Sequence, residues 1–329
     1  MKRLLCALLA GLMLSALCAC AQQPPQDSGK LQVVCTLFPY YDFARVIGGD
    51  EAEVTLLVAA GKETHSFEPT PLDVIRVSEA DVFLYNGGEG EQWVEDILSS
   101  AGGNIPVTAA MMDLVDLHSE EIVEGMQVSG HHDHDHEHDE DSAHHEEEED
   151  SDEVEYDEHI WTSPVVAQSI CRGICDALCK ADRENAEVYA ARTEEYVAQL
   201  GELDAAFREV VENARRDTLV FGDRFPLLYF CKTYGLHYRA AFHGCAGDTE
   251  PSLGTLKYLI DKVRDENIPV VYTIELSSQK VARAIAETTG AKVVTFHSCQ
   301  QVTRDEFNSG ASYLDLMWDN VEALREGLS

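Results

Sequence analysis

The feature that most constrains the fold is a repetition: two series of short β-branched runs alternate with helical segments, one on each side of a long stretch free of proline. The first series predicts strands at Val33–Thr36, Val54–Val58, Val82–Tyr85 and around Val107. The second predicts strands at Thr218–Phe221, Tyr238–Phe242, Val270–Glu275 and Lys292–Phe296. Strands separated by helices form mostly parallel sheets covered by helices, and such sheets receive ligands at the carboxyl ends of their strands. The stretch between the series, Asp182 to Arg216, is rich in Ala, Glu, Arg and Leu. It predicts one helix that at about 1.5 Å per residue would extend about 50 Å, long enough to connect two lobes. A last helix is expected from Ser312 to Leu328.

A chain of 329 residues with 45% hydrophobic content exceeds what one small core needs, so two globular lobes are expected. The reading divides the chain into an export signal (1–20), a tether (21–30), and a first α/β lobe (31–181) interrupted by a His- and acid-rich loop (118–158). A linking helix (182–216) and a second α/β lobe (217–329) follow. The formal net charge of -36 argues against nucleic acid or anionic membrane surfaces as partners, since both demand Lys and Arg patches. A cation fits better, although much of the charge comes from one local run.

Met1-Lys2-Arg3 leads into an apolar stretch, Leu4 to Leu17, too short for a comfortable membrane span and typical of an export signal. It closes on Leu17-Cys18-Ala19-Cys20, which resembles the lipobox of bacterial lipoproteins. Cys20 is therefore the candidate lipid anchor, and the alternative is a plain secretory signal. The remaining cysteines, Cys35, Cys171, Cys175, Cys179, Cys231, Cys245 and Cys299, make an odd set, so at least one thiol stays free or pairs between molecules. Cys171, Cys175 and Cys179 recur every fourth residue and line one helix face, where they serve as small apolar packing. Cys245 and Cys299 each follow a His by two residues and are expected to bond to each other beside the cleft; a thiolate metal site is the alternative.

Two His-centred segments carry the chemistry. His65 in Gly61 to Pro71 and His159 in Asp157 to Pro164 each sit in a loop ahead of a Pro-led helix start, which fixes the backbone and leaves the side chain facing a cleft. Paired imidazoles suit zinc better than magnesium or calcium. Between them lies a tract with His131, His132, His134, His136, His138, His144 and His145 among acidic residues. No core can form there. Its interleaved imidazoles predict accessory metal contact, whereas a solvated acidic linker would explain only the carboxylates.

With these residues in view, the chain resembles the cluster A-I metal-binding lipoproteins of ABC importers, the ZnuA and TroA type. The resemblance spans nearly the whole mature chain. It rests on His65 to Pro71, Asp81 to Tyr85, Trp93, His159 to Pro164, Tyr234 to Leu236, Glu250 to Ser252 and Ser312 to Leu314. It implies two lobes of four-stranded parallel sheet joined by one long rigid helix, with a single metal held at the interface. His65 and His159 match the first and second ligands, and His297 stands at the fourth position, usually Asp. The third falls on Arg224, which cannot ligate, so Asp223, His243 or a water would take that place.

The resemblance also implies the function: an exported, likewise monomeric receptor on the outer face of the cytoplasmic membrane, at the cell surface or in the periplasm, delivering Zn²⁺ to an ABC permease and its ATPase. A manganese receptor is the near rival, although three imidazoles lean against it. A surface metal buffer or adhesin using the His tract is a second alternative. A zinc hydrolase is a third, against which stand the lack of an HExxH motif and of any evident general base.

Overall fold

The computed structural model describes residues 29–64, 67–126, 155–244 and 251–329. All elements named here belong to one compact unit, Leu31–Ser329. Its first sheet contains β1 (Leu31–Cys35), β2 (Ala52–Leu56), β3 (Val82–Tyr85) and β4 (Val107–Ala110), in the order β2-β1-β3-β4. The second contains β5 (Thr218–Phe225), β6 (His237–His243), β7 (Val270–Thr273) and β8 (Lys292–Thr295), in the order β6-β5-β7-β8. Every pairing within these two sheets is parallel. The expected pair of four-stranded parallel sheets is borne out, and both sheets share one topology. In each, the chain leaves the first strand to one side and returns on the other, opening a crevice at the strand ends.

The helices are α1 (Phe38–Gly48), α2 (Pro71–Ser78), α3 (Trp93–Ser100), α4 (Pro164–Ala181), α5 (Ala186–Glu212), α6 (Leu228–Tyr234), α7 (Leu253–Asp265), α8 (Lys280–Thr289), α9 (Arg304–Ser309) and α10 (Tyr313–Leu328). None among the described residues is long and apolar enough to cross a membrane.

Alternation along the strands determines which core each side chain enters. In β1 and β3, Val33, Cys35, Val82 and Leu84 face a large central core, while Val34 and Phe83 face a smaller one shared with Val77 of α2 and Ile97 of α3. The second sheet repeats the arrangement. Leu219, Phe221, Val270 and Tyr272 face the central core, while Val220 and Val271 pack on Leu259 of α7 and Ile285 of α8. The central core therefore runs unbroken from one sheet to the other through α1, α4, α5 and α10. Rotating one lobe against the other would expose part of this core, so the connection is stiff.

Local chemistry explains where the boundaries differ from expectation. The long helix begins at Ala186, because Asp182 breaks the run: its Oδ1 accepts the Glu184 and Asn185 amides at 3.1 and 3.3 Å, an Asx turn between α4 and α5. The helix has 27 residues and spans about 40 Å. Strand β5 runs on to Phe225 because a bulge lies between Phe221 and Arg224, which pair with Ala240 and Phe242.

Candidate metal site

The site is assembled where the loops at the carboxyl ends of both sheets meet. His159 lies immediately ahead of a 3-10 turn, Ile160–Thr162, after which Ser163 caps α4 by accepting the Val166 amide at 3.4 Å. Its imidazole is 1% exposed. Asp157, also buried, accepts the His159 amide at 2.9 Å, and its Oδ1 lies 3.4 Å from His159 Nδ1. Burial by itself pushes the His159 pKa down, but the Asp157 carboxylate, with Glu158 and Glu120 beyond it, carries it above the ordinary imidazole value. A carboxylate on one ring nitrogen orients the imidazole and raises its basicity as a ligand.

The backbone carrying His159 is fixed from below. Tyr40 Oη donates to Asn86 Oδ1, and Asn86 Nδ2 donates to the Glu158 carbonyl at 3.0 Å. Glu158 Oε1 accepts the Gly90 amide at 2.9 Å. Gly88, at φ +83°, makes this approach possible, since a Cβ there would fall 2.4 Å from Glu158 Oε1. Glu91 completes the base by accepting the amides of Asn86 and Gly87 at 2.6 and 3.1 Å.

Burial first, and then the charge of Glu158, raise the Glu91 pKa to about 7 against the pull of those amides. A folded value above the ordinary 4.5 means that the folded protein holds this proton more tightly. The contribution is complete below the unfolded value and is lost as pH rises through about 7. Glu91→Gln should therefore flatten the stability profile over that interval and raise neutral-pH stability by a few kcal/mol, on the order expected for a shift of this size. Chemical denaturation at pH 5 and pH 8 checks this, and an unchanged pH slope would refute it.

The second lobe closes over His159. A Cβ on Gly244, just after β6, would lie 3.1 Å from His159 Cε1 and 3.0 Å from the Phe225 carbonyl, so a side chain there would press on the ring by a few tenths of an ångström. Trp161 stands beside the ring, at 5.6 Å between centroids, and its Nε1 donates to the Ser298 carbonyl at 2.8 Å. Ser298 in turn gives its amide and hydroxyl to Glu275, and the backbone of His297 is held on both sides by Asn320, at 2.7 and 2.8 Å. His297 is half-buried at the end of β8.

The position of Asp223 differs from a simple cleft ligand. The β5 bulge turns its carboxylate toward β7, where Oδ2 accepts Thr273 Oγ1 at 2.8 Å and the Ile274 amide at 3.5 Å; Oδ1 accepts the Arg224 amide at 2.9 Å. Arg224 reaches the other lobe, where Nη2 meets Glu63 Oε2 at 3.0 Å. Beside this ion pair the Gly61 amide donates to the Val302 carbonyl at 2.8 Å, and Gln301 Nε2 donates to the Val58 carbonyl at 3.3 Å. The segment entering the His65 loop is thus docked on the second lobe. At its exit, Thr70 and Asp73 form a capping box on α2.

His65 itself lies outside the described residues, as do His131, His132, His134, His136, His138, His144, His145, Cys20 and Cys245. Cys299 is a fully buried free thiol, and the Cys245 expected to bridge to it lies outside the described residues. Burial first, and then the charges of Glu275, Asp42 and Glu306, push Cys299 well above its ordinary range, and a packed neutral thiol suits that surrounding. Cys171, Cys175 and Cys179 are also free, the first two buried as expected.

Asp157, Asn86, Glu91 and Gly244 were not singled out from the sequence. Asp157 offered the one local signal, an acid two residues before His159; the others approach only in the folded chain.

Comparison with known proteins agrees with this geometry. The family model described as "Zinc-uptake complex component A periplasmic" (ZnuA) matches residues 33–327. The high-affinity zinc uptake system protein ZnuA of Bacillus subtilis is 32% identical over 97% of both chains. The zinc-binding lipoprotein AdcA of Streptococcus pneumoniae is 31% identical over 97% of this chain, which spans 60% of that longer protein. Among solved structures, the metal-dependent lipoprotein YcdH of B. subtilis superposes with a TM-score of 0.73 at 30% identity, over 91% of this chain and all of that one. The Zn(II)-bound ZnuA-like domain of S. pneumoniae AdcA superposes at 0.71 and 27% identity, over 91% of this chain and 99% of the domain. With a match that extends from β1 through nearly all of α10, and two parallel sheets built around one core, the chain belongs to the ZnuA family.

Proposed function

We propose that the protein is an extracytoplasmic zinc receptor that holds Zn²⁺ between its lobes and delivers it to an ABC permease driven by an ATPase. The observation that carries this reading is the placement of His159: buried, oriented by Asp157, and facing Gly244 of the opposite lobe. Buried imidazole donors suit zinc, and a set with three of them disfavours manganese, which prefers oxygen-rich shells. The zinc-uptake relatives in B. subtilis and S. pneumoniae support the same cargo.

In this reading His65, His159 and His297 are the ligands, one from the β2 loop, one from the segment before α4 and one from the end of β8. The bonds already held by Asp223 support a water in the remaining position. Arg224 cannot ligate, and its pair with Glu63 ties the lobes together beside the metal. The receptor makes and breaks no bond in its cargo. It acts as a monomer tethered through Cys20 to the outer face of the cytoplasmic membrane, and the stiff core limits zinc release to loop motion and small lobe shifts on docking. The His tract gathers zinc weakly and is dispensable for tight binding.

The test is competitive zinc affinity of the mature protein lacking residues 131–149. One tight zinc per chain should remain, and His65→Ala and His297→Ala should each weaken it. Loss of tight binding with the tract would make the tract the primary site and the protein a metal buffer.

A further inference from the structure

The first sheet has an open edge. Strand β2 ends the order β2-β1-β3-β4, and of its five residues only Ala52 is buried. The Leu57 amide, just past the strand, donates to the Cys35 carbonyl of β1 at 2.8 Å. Peptide groups alternate in direction along a strand, so those of Val54 and Leu56 point away from β1, and among the described residues no backbone group pairs with them. The equivalent strand of the second sheet is covered. Along β6, Tyr238 Oη donates to the Glu121 carbonyl at 3.4 Å, Arg239 lies 3.8 Å from Glu124, and His243 Nδ1 lies 2.7 Å from Glu120. An uncovered edge offers its N–H and C=O groups to any extended chain, and Val54 to Leu56 carries neither the charge nor the proline that commonly blocks one.

Beside this edge lies a groove of about 440 Å³, the size of a small-ligand or short-peptide site. Val54, Thr55 and Leu56 all line it, and since successive side chains point to opposite faces, the groove follows the edge of the sheet rather than one face. Tyr41 of α1 and Phe307 of α9 make its apolar surface, with ring centroids 5.4 Å apart. Its two sides are fastened to each other, because the Gly61 amide donates to the Val302 carbonyl at 2.8 Å and Gln301 Nε2 to the Val58 carbonyl at 3.3 Å. One charged residue, Arg304, lines the groove. A Cβ on Gly61, beyond the carboxyl end of β2, would lie 3.3 Å from Arg304 Cγ, which places this side chain at that end. Arg304 is exposed and makes no ion pair among the described residues.

We propose that this groove binds the free carboxyl-terminal tail of a partner polypeptide, which adds a fifth strand to the first sheet. The Val54 and Leu56 peptide groups supply backbone hydrogen bonds, the Tyr41 and Phe307 rings receive an apolar side chain, and Arg304 pairs with the terminal carboxylate. Sheet direction fits the same arrangement. A tail running parallel to β2, as every pair in this sheet runs, ends at the carboxyl end of β2, where Arg304 stands. Charge selects the same ligand, for the chain carries a formal net charge of -36 and yet the one charge lining this groove is positive. Strand β2 belongs to the first lobe and α9 follows the last strand of the second, so a bound tail touches both. None of the candidate cleft ligands lines the groove, and the proposal stands whether or not those ligands are assigned correctly.

The experiment uses the full mature chain and synthetic peptides: acetyl-Thr-Val-Lys-Thr-Val-Leu with a free carboxylate, its counterparts ending in Phe or Ala, the same peptides amidated, and one with proline at the central Thr. At least one free acid should bind with a Kd below about 1 mM and shift the Val54 and Leu56 amide resonances. Its amidated and proline forms should bind at least about tenfold more weakly. Arg304→Gln should remove the same factor for the acid, leave the amide unchanged and leave zinc affinity as it was. Phe307→Ala should weaken acid and amide alike, and its melting curve shows whether it folds. No saturable shift with any free acid up to about 1 mM, or equal binding of acid and amide, would overturn the proposal. Self-association that occupies the groove, or peptide binding that appears only once residues 21–28 are removed, would give the groove to the chain itself and overturn it too.

Discussion

Replacing His159 with Ala should weaken tight zinc binding by about a hundredfold or more while the chain remains folded. The size follows from dividing an apparent zinc binding energy of roughly 12 kcal/mol among four ligands, about 3 kcal/mol each, where 1.4 kcal/mol is a factor of ten. His159 should lie at or above that share, because its orientation is already fixed by Asp157, by the Asn86 contact to the neighbouring carbonyl and by Trp161, so little ordering remains to be done on binding. Removing the ring leaves the buried Asp157 carboxylate without its imidazole neighbour, and a loss of about 1–3 kcal/mol of stability should accompany it. His159→Gln, which retains a polar group near Asp157, should recover part of that stability and little of the zinc affinity. Competition against a chromophoric chelator, with thermal melts of the metal-free variants, separates the two effects. Zinc affinity within a factor of three of the parent would place the metal elsewhere.

The fold was legible because its strands are buried on both faces. Runs such as Val82 to Tyr85 and Val270 to Thr273 are rich in β-branched and aromatic residues, almost wholly buried and flanked by helices, a pattern that a covered parallel sheet explains well. Less legible was anything decided by a single side chain reaching its own backbone. Asp182 ends one helix and permits the next, yet within a helix-rich composition it reads as one more acidic residue. The β5 bulge hides in the same way: Gly222-Asp223 has the composition of a turn, and only the pairing with β6 reveals that the strand continues.

For the site, the readable part was the local part. His159 announces itself through Asp157 before it and Pro164 after it, both close in sequence. The contacts of Arg224 with Glu63, of Gly244 with His159 and of Glu120 with His243 join positions far apart in the chain, and no spacing rule reports them. The expected Cys245–Cys299 bridge likewise rests on local spacing alone. Each thiol follows a His in a matching way, but burial and direction depend on the packing, and Cys299 is turned into the core.

Trp161→Ala should produce the largest loss of stability of any single change near the site, because Trp161 serves the core and the cleft together. Its side chain is 1% exposed, packs edge-on to Tyr40 at 5.8 Å, and sends Nε1 to the Ser298 carbonyl in the other lobe. Its own carbonyl accepts Tyr313 Oη at 2.7 Å, which ties the same segment to α10. Truncation opens a cavity between the sheets, a change that typically removes about 3–5 kcal/mol, and leaves the Ser298 carbonyl without this donor. The melting temperature should fall by roughly 10 °C. Trp161→Phe keeps most of the volume but lacks the donor, so its smaller loss measures the inter-lobe hydrogen bond. Saturating zinc should restore part of the Trp161→Ala deficit, since a ligand that binds only the folded state adds stability in proportion to the logarithm of its concentration over Kd. If the alanine variant melts within a few degrees of the parent, the lobes are not joined through this residue, and the stiffness would have to come from the rest of the continuous core and from contacts such as Arg224–Glu63.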